Sequence, residues 1–145
     1  MKLLDANILL YAYDSSSAHH DACRRWLEGA LNDDEPVGLA WQTSLAFIRI
    51  STNPRAVRSP IKTEDACGII GTLLERPTVL VVEPGDQFWP TFQQIARVAR
   101  ISGPRVTDAV LAAMAVEQGA TLCSTDRDFR RFEGLTVVDP TGGPT

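Results

Sequence analysis

Five short, nearly unbroken apolar runs, separated by stretches of helical length, constrain this chain more than any other feature. The runs are KLL (2–4), VGLA (37–40), TVLVV (78–82), TLCS (121–124) and LTVV (135–138). Several lack the polar alternation of a strand with one wet face, so they read as strands covered on both sides. Between them, helices are predicted over 6–12, 17–31, 42–52, 62–75, 86–100 and 107–118. The second opens at a serine cluster, and the last opens at Thr107 as its N-cap and stops at Gly119. Pro77, Pro84 and Pro104 fall between segments, where proline interrupts nothing. Strand and helix alternating in this way predict an α/β fold: three layers, α/β/α, around a short central parallel sheet of about five strands. The chain of 145 residues reads as a single domain over 1–140, with TGGPT as a flexible tail over 141–145.

Charge and cysteine content narrow the classes of partner. A net charge of -4 gives no global attraction for nucleic acid, so any such contact needs a local basic patch. Among the 14 basic residues only Lys2 and Lys62 are lysines; the arginine bias fits either a GC-rich genome or phosphate recognition. Cys23, Cys67 and Cys123 are odd in number and form no CxxC pair, which disfavours disulfide scaffolds and zinc ribbons. They read as buried or semi-buried thiols in a reducing compartment. The opening MKLLD reaches an acid after two leucines, unlike a signal peptide, and no run has a membrane helix's length. A soluble cytoplasmic protein is expected.

In parallel α/β folds ligands bind beyond the carboxyl ends of the strands, so the residues standing there matter most. Asp5 follows the first run, with Asn7 two residues on, and Asp126 and Asp128 follow the fourth, in LCSTDRDF. Asp108 falls in the first turn of the helix in GPRVTDAVLAAMAVEQGA. Each has a plain structural reading: a helix N-terminal aspartate at 108, caps for the segment holding Phe129, a turn residue at 5. Asp5, however, is crowded by apolar residues, where an unpaired charge is costly. Acids from three distant parts of the chain then converge at one end of the sheet. Gathered carboxylates repel and call for protonation or a cation. Histidine is confined to His19 and His20, which read as solvent-facing, and no Cys/His spacing suits zinc. An oxygen-only set favours Mg²⁺ or Mn²⁺, and open carboxylate sites with such ions handle phosphate esters.

The motifs LLDANILLYA, FIRISTNPR, VTDAVLAAMAVEQGATL and STDRDFRRF, in this order and spacing, resemble the PIN domain family, and within it the VapC-type toxins. The resemblance implies a Mg²⁺- or Mn²⁺-dependent ribonuclease that hydrolyses RNA and is neutralised by a cognate VapB-type antitoxin. It also implies a homodimer. Carried over by position, Asp5, Asp108 and Asp126 match the acidic metal ligands, and Asp128 an acid often present in this motif. Asn7 matches the polar residue bracing the first acid, and Ser124 the hydroxyl two before Asp126. The sequence departs from the family where a glutamate commonly stands three residues before the arginine of FIR: here it is Ala46. That departure puts a full two-metal site in doubt.

Arg49, one turn after Ala46, reads as a phosphate contact, a partner for a site aspartate, or a plain salt bridge. Arg127, Arg130 and Arg131 flank the acids and read either as a local basic patch or as a solvated face. STNPR reads as a helix stop before Pro54. Trp26, Leu27, Leu31, Ile69, Ile70, Leu73 and Leu74 on the helices at 17–31 and 62–75 suggest core packing, with a groove for an antitoxin helix as an alternative. Two rivals remain. One is an aspartyl phosphatase or phosphotransferase with Asp5 as nucleophile, disfavoured by Asn7 and by Lys62 as its sole helper lysine beyond Lys2; the other is a lapsed RNA- or antitoxin-binding module.

Overall fold

A computed structural model describes residues 1–142. The elements follow the sequence in the order β1 (Lys2–Leu4), α1 (Ala6–Ala12), α2 (His20–Leu31), β2 (Val37–Ala40), α3 (Trp41–Ser51), α4 (Thr63–Leu74) and β3 (Val79–Val82). α5 (Phe88–Ala99), α6 (Arg105–Glu117), β4 (Thr121–Cys123), a 3-10 turn (Arg127–Arg131) and β5 (Val137–Val138) complete it. The five strands form one parallel sheet in the order β3-β2-β1-β4-β5. The chain thus winds outward from β1 through β2 to β3, then returns to the other side of β1 for β4. The reversal lies between β1 and β4, where parallel sheets open a crevice at their carboxyl ends.

Side-chain alternation along each strand feeds two cores, one on each face of the sheet. Leu4, Val37, Leu39 and Cys123 pack with Ile8, Leu9, Leu27, Phe47 and Ile70 beneath α1–α4. Leu3, Ala40, Val82 and Leu122 pack on the other face with Ile95, Leu111, Met114, Phe129 and Phe132. α6 is nearly enclosed because Ala109, Ala112, Ala113 and Ala115 let the sheet and α5 approach closely. Gly119, at φ 63°, ends that helix in the left-handed conformation that costs glycine least. A Cβ on Gly38 would stand 2.7 Å from Val82 Cγ2 and 3.0 Å from Met1 Sδ, so β2 needs glycine there.

Two expectations need correction. Thr107 is not the N-cap of α6: the helix begins at Arg105, because Pro104 already has helical angles and Thr107 Oγ1 donates back to the Pro104 carbonyl at 3.0 Å. Cys67 is an exposed thiol, whereas Cys23 and Cys123 are buried and their pKa values are pushed up to about 11 and about 12 by burial. Leu27, Leu31, Ile70 and Leu73, read as alternatives between core and groove, belong to the core. Of the tail expected over 141–145, residues 143–145 lie outside the described residues, and Thr141 is bonded through N and Oγ1 to Asp139. Among the described residues no helix is long and apolar enough to cross a membrane.

Candidate active site

At the crevice, β1 runs straight into α1 through Asp5, whose extended backbone makes it the helix N-cap. Its Oδ1 accepts the Ala6 N–H at 2.8 Å, and its Oδ2 accepts the Ser124 hydroxyl at 2.7 Å. Ser124 leaves the end of β4, on the neighbouring strand, and is 1% exposed. Its oxygen in turn accepts the Asp126 N–H at 3.0 Å and Asn7 Nδ2 at 3.3 Å. One buried hydroxyl thus joins the ends of both central strands. Asn7 braces Asp5 through this hydroxyl rather than by direct contact, and Ser124, expected among substrate-binding groups, is committed to Asp5.

α3 and α6 close the other walls. Thr43 Oγ1 donates to the Leu4 carbonyl at 3.0 Å, and Gln42 Nε2 to the Thr107 carbonyl at 3.2 Å. The cleft so formed has a volume of about 610 Å³ and is lined by Asp5, Asn7, Asp108 and Asp126 together with Ala46 and Arg49. α3 contributes no acid to it. Arg49 is exposed and, among the described residues, makes no ion pair, so it forms neither a plain salt bridge nor a pairing with a site aspartate.

Electrostatics in this cleft are those of gathered carboxylates, partly withdrawn from water. Burial raises the Asp5 carboxyl above the usual carboxylate range; the Ser124 and Ala6 hydrogen bonds oppose that, and Asp108 and Asp126 add to it. Asp108 is likewise raised, first by burial, then by Asp126, against the pull of Arg105. Asp128 stands apart. Its carboxylate is 2.5 Å from Arg105 Nη1, and it does not line the cleft. Arg105 escaped the sequence reading, since nothing local ties the start of α6 to the 3-10 turn. Asp126 caps that turn by accepting the Asp128 N–H at 2.9 Å. His19 is exposed and lies tilted against the Tyr11 ring, and His20 Nδ1 bonds the Tyr11 carbonyl at 2.9 Å, both away from the cleft.

A parallel sheet with carboxylates at its reversal point, walled by α1, α3 and α6, defines a class of α/β domains with an acidic cleft beyond the strand ends. A PIN domain family model matches residues 2–135, and the chain belongs to the PIN domain family. It is similar to ribonuclease VapC43 of Mycobacterium tuberculosis, at 38% identity over 145 residues, 100% of this chain and 99% of that protein. Ribonuclease VapC37 of the same organism is 38% identical over 140 residues, 97% of each. Solved structures share the fold. A chain of VapBC2 from Rickettsia felis bound to a DNA fragment from their promoter aligns with a TM-score of 0.72 at 17% identity, covering 95% of this chain and 97% of that one. VapC20 of Mycobacterium tuberculosis, a sarcin-ricin loop cleaving toxin, aligns at 0.66 and 14% identity, covering 94% and 99%.

Proposed function

We infer that this protein is the toxin of a VapBC-type pair, a metal-dependent ribonuclease of the cytoplasm, carried by one domain over 1–140 and neutralised by a VapB-type antitoxin. The observation that carries the reading is the gathering of Asp5, Asp108 and Asp126 from three distant segments into one cleft, in a chain 38% identical along its whole length to proteins named ribonucleases.

The donor set fits a hydrated Mg²⁺ or Mn²⁺ ion better than a dehydrated one. Among the described residues no group of three or more acid, histidine or cysteine side chains is placed to hold a metal ion by itself. Mg²⁺ characteristically keeps several waters and takes one or two carboxylates plus substrate phosphate. Asp5, Asp108 and Asp126 are the residues that would hold it, and the raised carboxyls of Asp5 and Asp108 are what such a cation relieves. When bound, the ion supplies Lewis acidity toward a phosphate oxygen and toward water.

The chain's own groups then have separate tasks. Asp5, fixed by Ser124 and Ala6, sets the position of the centre. Asp126 orients the attacking water and accepts its proton. Arg49 faces a non-bridging phosphate oxygen from the opposite wall. Attack of the water at phosphorus forms one P–O bond and breaks the one to the leaving ribose oxygen, which takes a proton from solvent, leaving a phosphate monoester and a free ribose hydroxyl. Asp128 contributes indirectly, by holding the 3-10 turn against α6.

An antitoxin arginine entering the acidic cleft would inhibit by charge pairing. A homodimer would use the exposed face of α5, where Trp89 is 61% exposed and stacks on Phe92 at 5.7 Å. The deciding experiment is cleavage of RNA by freshly purified protein with Mg²⁺ or Mn²⁺. Cleavage is expected to vanish in Asp5→Ala and Asp108→Ala, and its persistence there refutes the reading. The alternative, a lapsed RNA- or antitoxin-binding module, draws on Ala46, which leaves the α3 wall without an acid. Calorimetric titration separates the two, since a lapsed site takes up Mn²⁺ weakly or not at all.

A further inference from the structure

Beside the cleft lies a second cavity, of about 200 Å³, that shares Leu10 with it. α1 ends there at Tyr13, and α3 ends there at Ser51, so the same two helices that wall the cleft carry this cavity one turn further on. Its sides are Tyr13 and Phe47, set edge to face with centroids 5.9 Å apart, with Val57 and Ile61 from the segment after α3. Ser51 lines it too; that residue is 9% exposed, and its hydroxyl has no hydrogen-bond partner. A buried hydroxyl without a partner carries a desolvation cost that nothing in the fold repays.

The surroundings are cationic. Residues 36–63 contain Arg49, Arg55, Arg58 and Lys62 and no acid at all, in a chain whose net charge is -4. All four are exposed, and among the described residues none is in an ion pair. Asp14, the one acid among the lining residues, is turned onto the Ser16 N–H and hydroxyl at 3.0 and 2.6 Å. This is the local basic patch that the sequence reading sought around Arg127, Arg130 and Arg131.

We propose that this cavity is a base-binding subsite, which takes the nucleobase of a nucleotide next to the cleaved phosphodiester while Arg49, Arg55 and Arg58 track the backbone. The proposal rests on the ribonuclease reading and adds a position where single-stranded RNA is selected. Tyr13, 43% exposed, supplies a face or edge for stacking, and the Ser51 hydroxyl meets a polar edge of the base. A planar base with its own donors and acceptors satisfies both features, whereas an aliphatic peptide side chain would leave Ser51 unpaired.

The test is fluorescence anisotropy with the full chain in EDTA, which blocks cleavage, using labelled homopolymers of A, C, G and U of about ten nucleotides and an abasic strand. The expected result is preference for one base over the abasic strand, lost in Ser51→Ala. Tyr13→Leu is expected to weaken binding about tenfold and Tyr13→Phe to restore it. The double variant Arg55→Ala/Arg58→Ala is expected to lower the salt-dependence slope by about 1.4. Ser51→Ala removes an orphaned group, so its melting temperature serves as the folding control and is expected not to fall. Wild-type protein that binds no RNA, or binds all strands alike, overturns the proposal. So does a set of variants that keep RNA binding and lose only antitoxin binding, which would make the cavity a protein dock. Because cleavage is scored separately with Mn²⁺, failure of the subsite and failure of the ribonuclease reading give different results.

Discussion

Replacing Ser124 by alanine removes three hydrogen bonds at once from a site that water cannot reach. The hydroxyl donates to a carboxylate at 2.7 Å, accepts a backbone N–H at 3.0 Å and accepts an amide at 3.3 Å. A bond to a charged group is worth about 1.5–3 kcal/mol and a neutral one about 0.5–1.5, with the longest contributing least. Some relaxation of Asn7 offsets part of the loss, which leaves about 2–4 kcal/mol. Unfolding entropy near 2.1 cal/mol/K per residue gives roughly 0.3 kcal/mol/K for 145 residues. The melting temperature should therefore fall by about 7–13 °C. The bond also lowers the Asp5 carboxyl's pKa against burial, so its loss lets Asp5 protonate at a higher pH. The acid limb of the RNA cleavage profile then moves to higher pH. Calorimetry and a pH series on wild type, Ser124→Ala, Asp5→Asn and the double variant form a cycle in which the two changes should couple by at least about 1 kcal/mol. A fall of under about 3 °C, with an unmoved acid limb, would refute the view that this hydroxyl positions Asp5.

The raised carboxyls make a second prediction with a definite sign. Asp5 and Asp108 bind protons more tightly folded than unfolded, so the metal-free protein loses stability as pH rises from 3.8 through their raised values. Asp108→Asn should raise the metal-free melting temperature at pH 7, flatten that slope and abolish cleavage; an unchanged slope would count against it. Gly38→Ala places a methyl against Val82 and Met1 and should cost about 1–3 kcal/mol by chemical denaturation. Glu117, whose two carboxylate oxygens accept the Gly85 and Gln87 N–H groups at 2.9 Å each, should loosen the entry to α5 when changed to alanine. Hydrogen exchange across 83–88 reads that loosening, and protection equal to wild type would contradict it.

The strand and helix pattern was legible because proline and glycine mark the breaks: every predicted segment has a counterpart whose ends differ by at most three residues. The convergence of Asp5, Asp108 and Asp126 was legible for a related reason, since strand ends in a parallel sheet share one edge. What escaped were pairings across long sequence distances. The Arg105–Asp128 ion pair, the Glu117 carboxylate beneath Gly85 and the Ser51 cavity depend on how loops meet, which leaves no local pattern. Thr107 shows a subtler miss: threonine before an acid has the look of a cap, yet proline with helical angles started the turn earlier. The basic stretch from 36 to 63 was present in the letters, but charge counted over the whole chain concealed it.

The bond between Ser124 and Asp5 spans 119 positions of sequence. At about 5–20 residues per second, a ribosome making this chain needs roughly 6–24 s to proceed from one partner to the other. Throughout that interval the first acid already exists, yet the strand that positions it does not. On the ribonuclease reading, a nascent chain is unarmed until β4 slots in beside β1 at the middle of the sheet. Truncated products that lack β4, the usual debris of stalled synthesis, would carry Asp5 and Asp108 without the means to use them. For a protein that destroys RNA, the order of its strands works as a safety catch during its own manufacture.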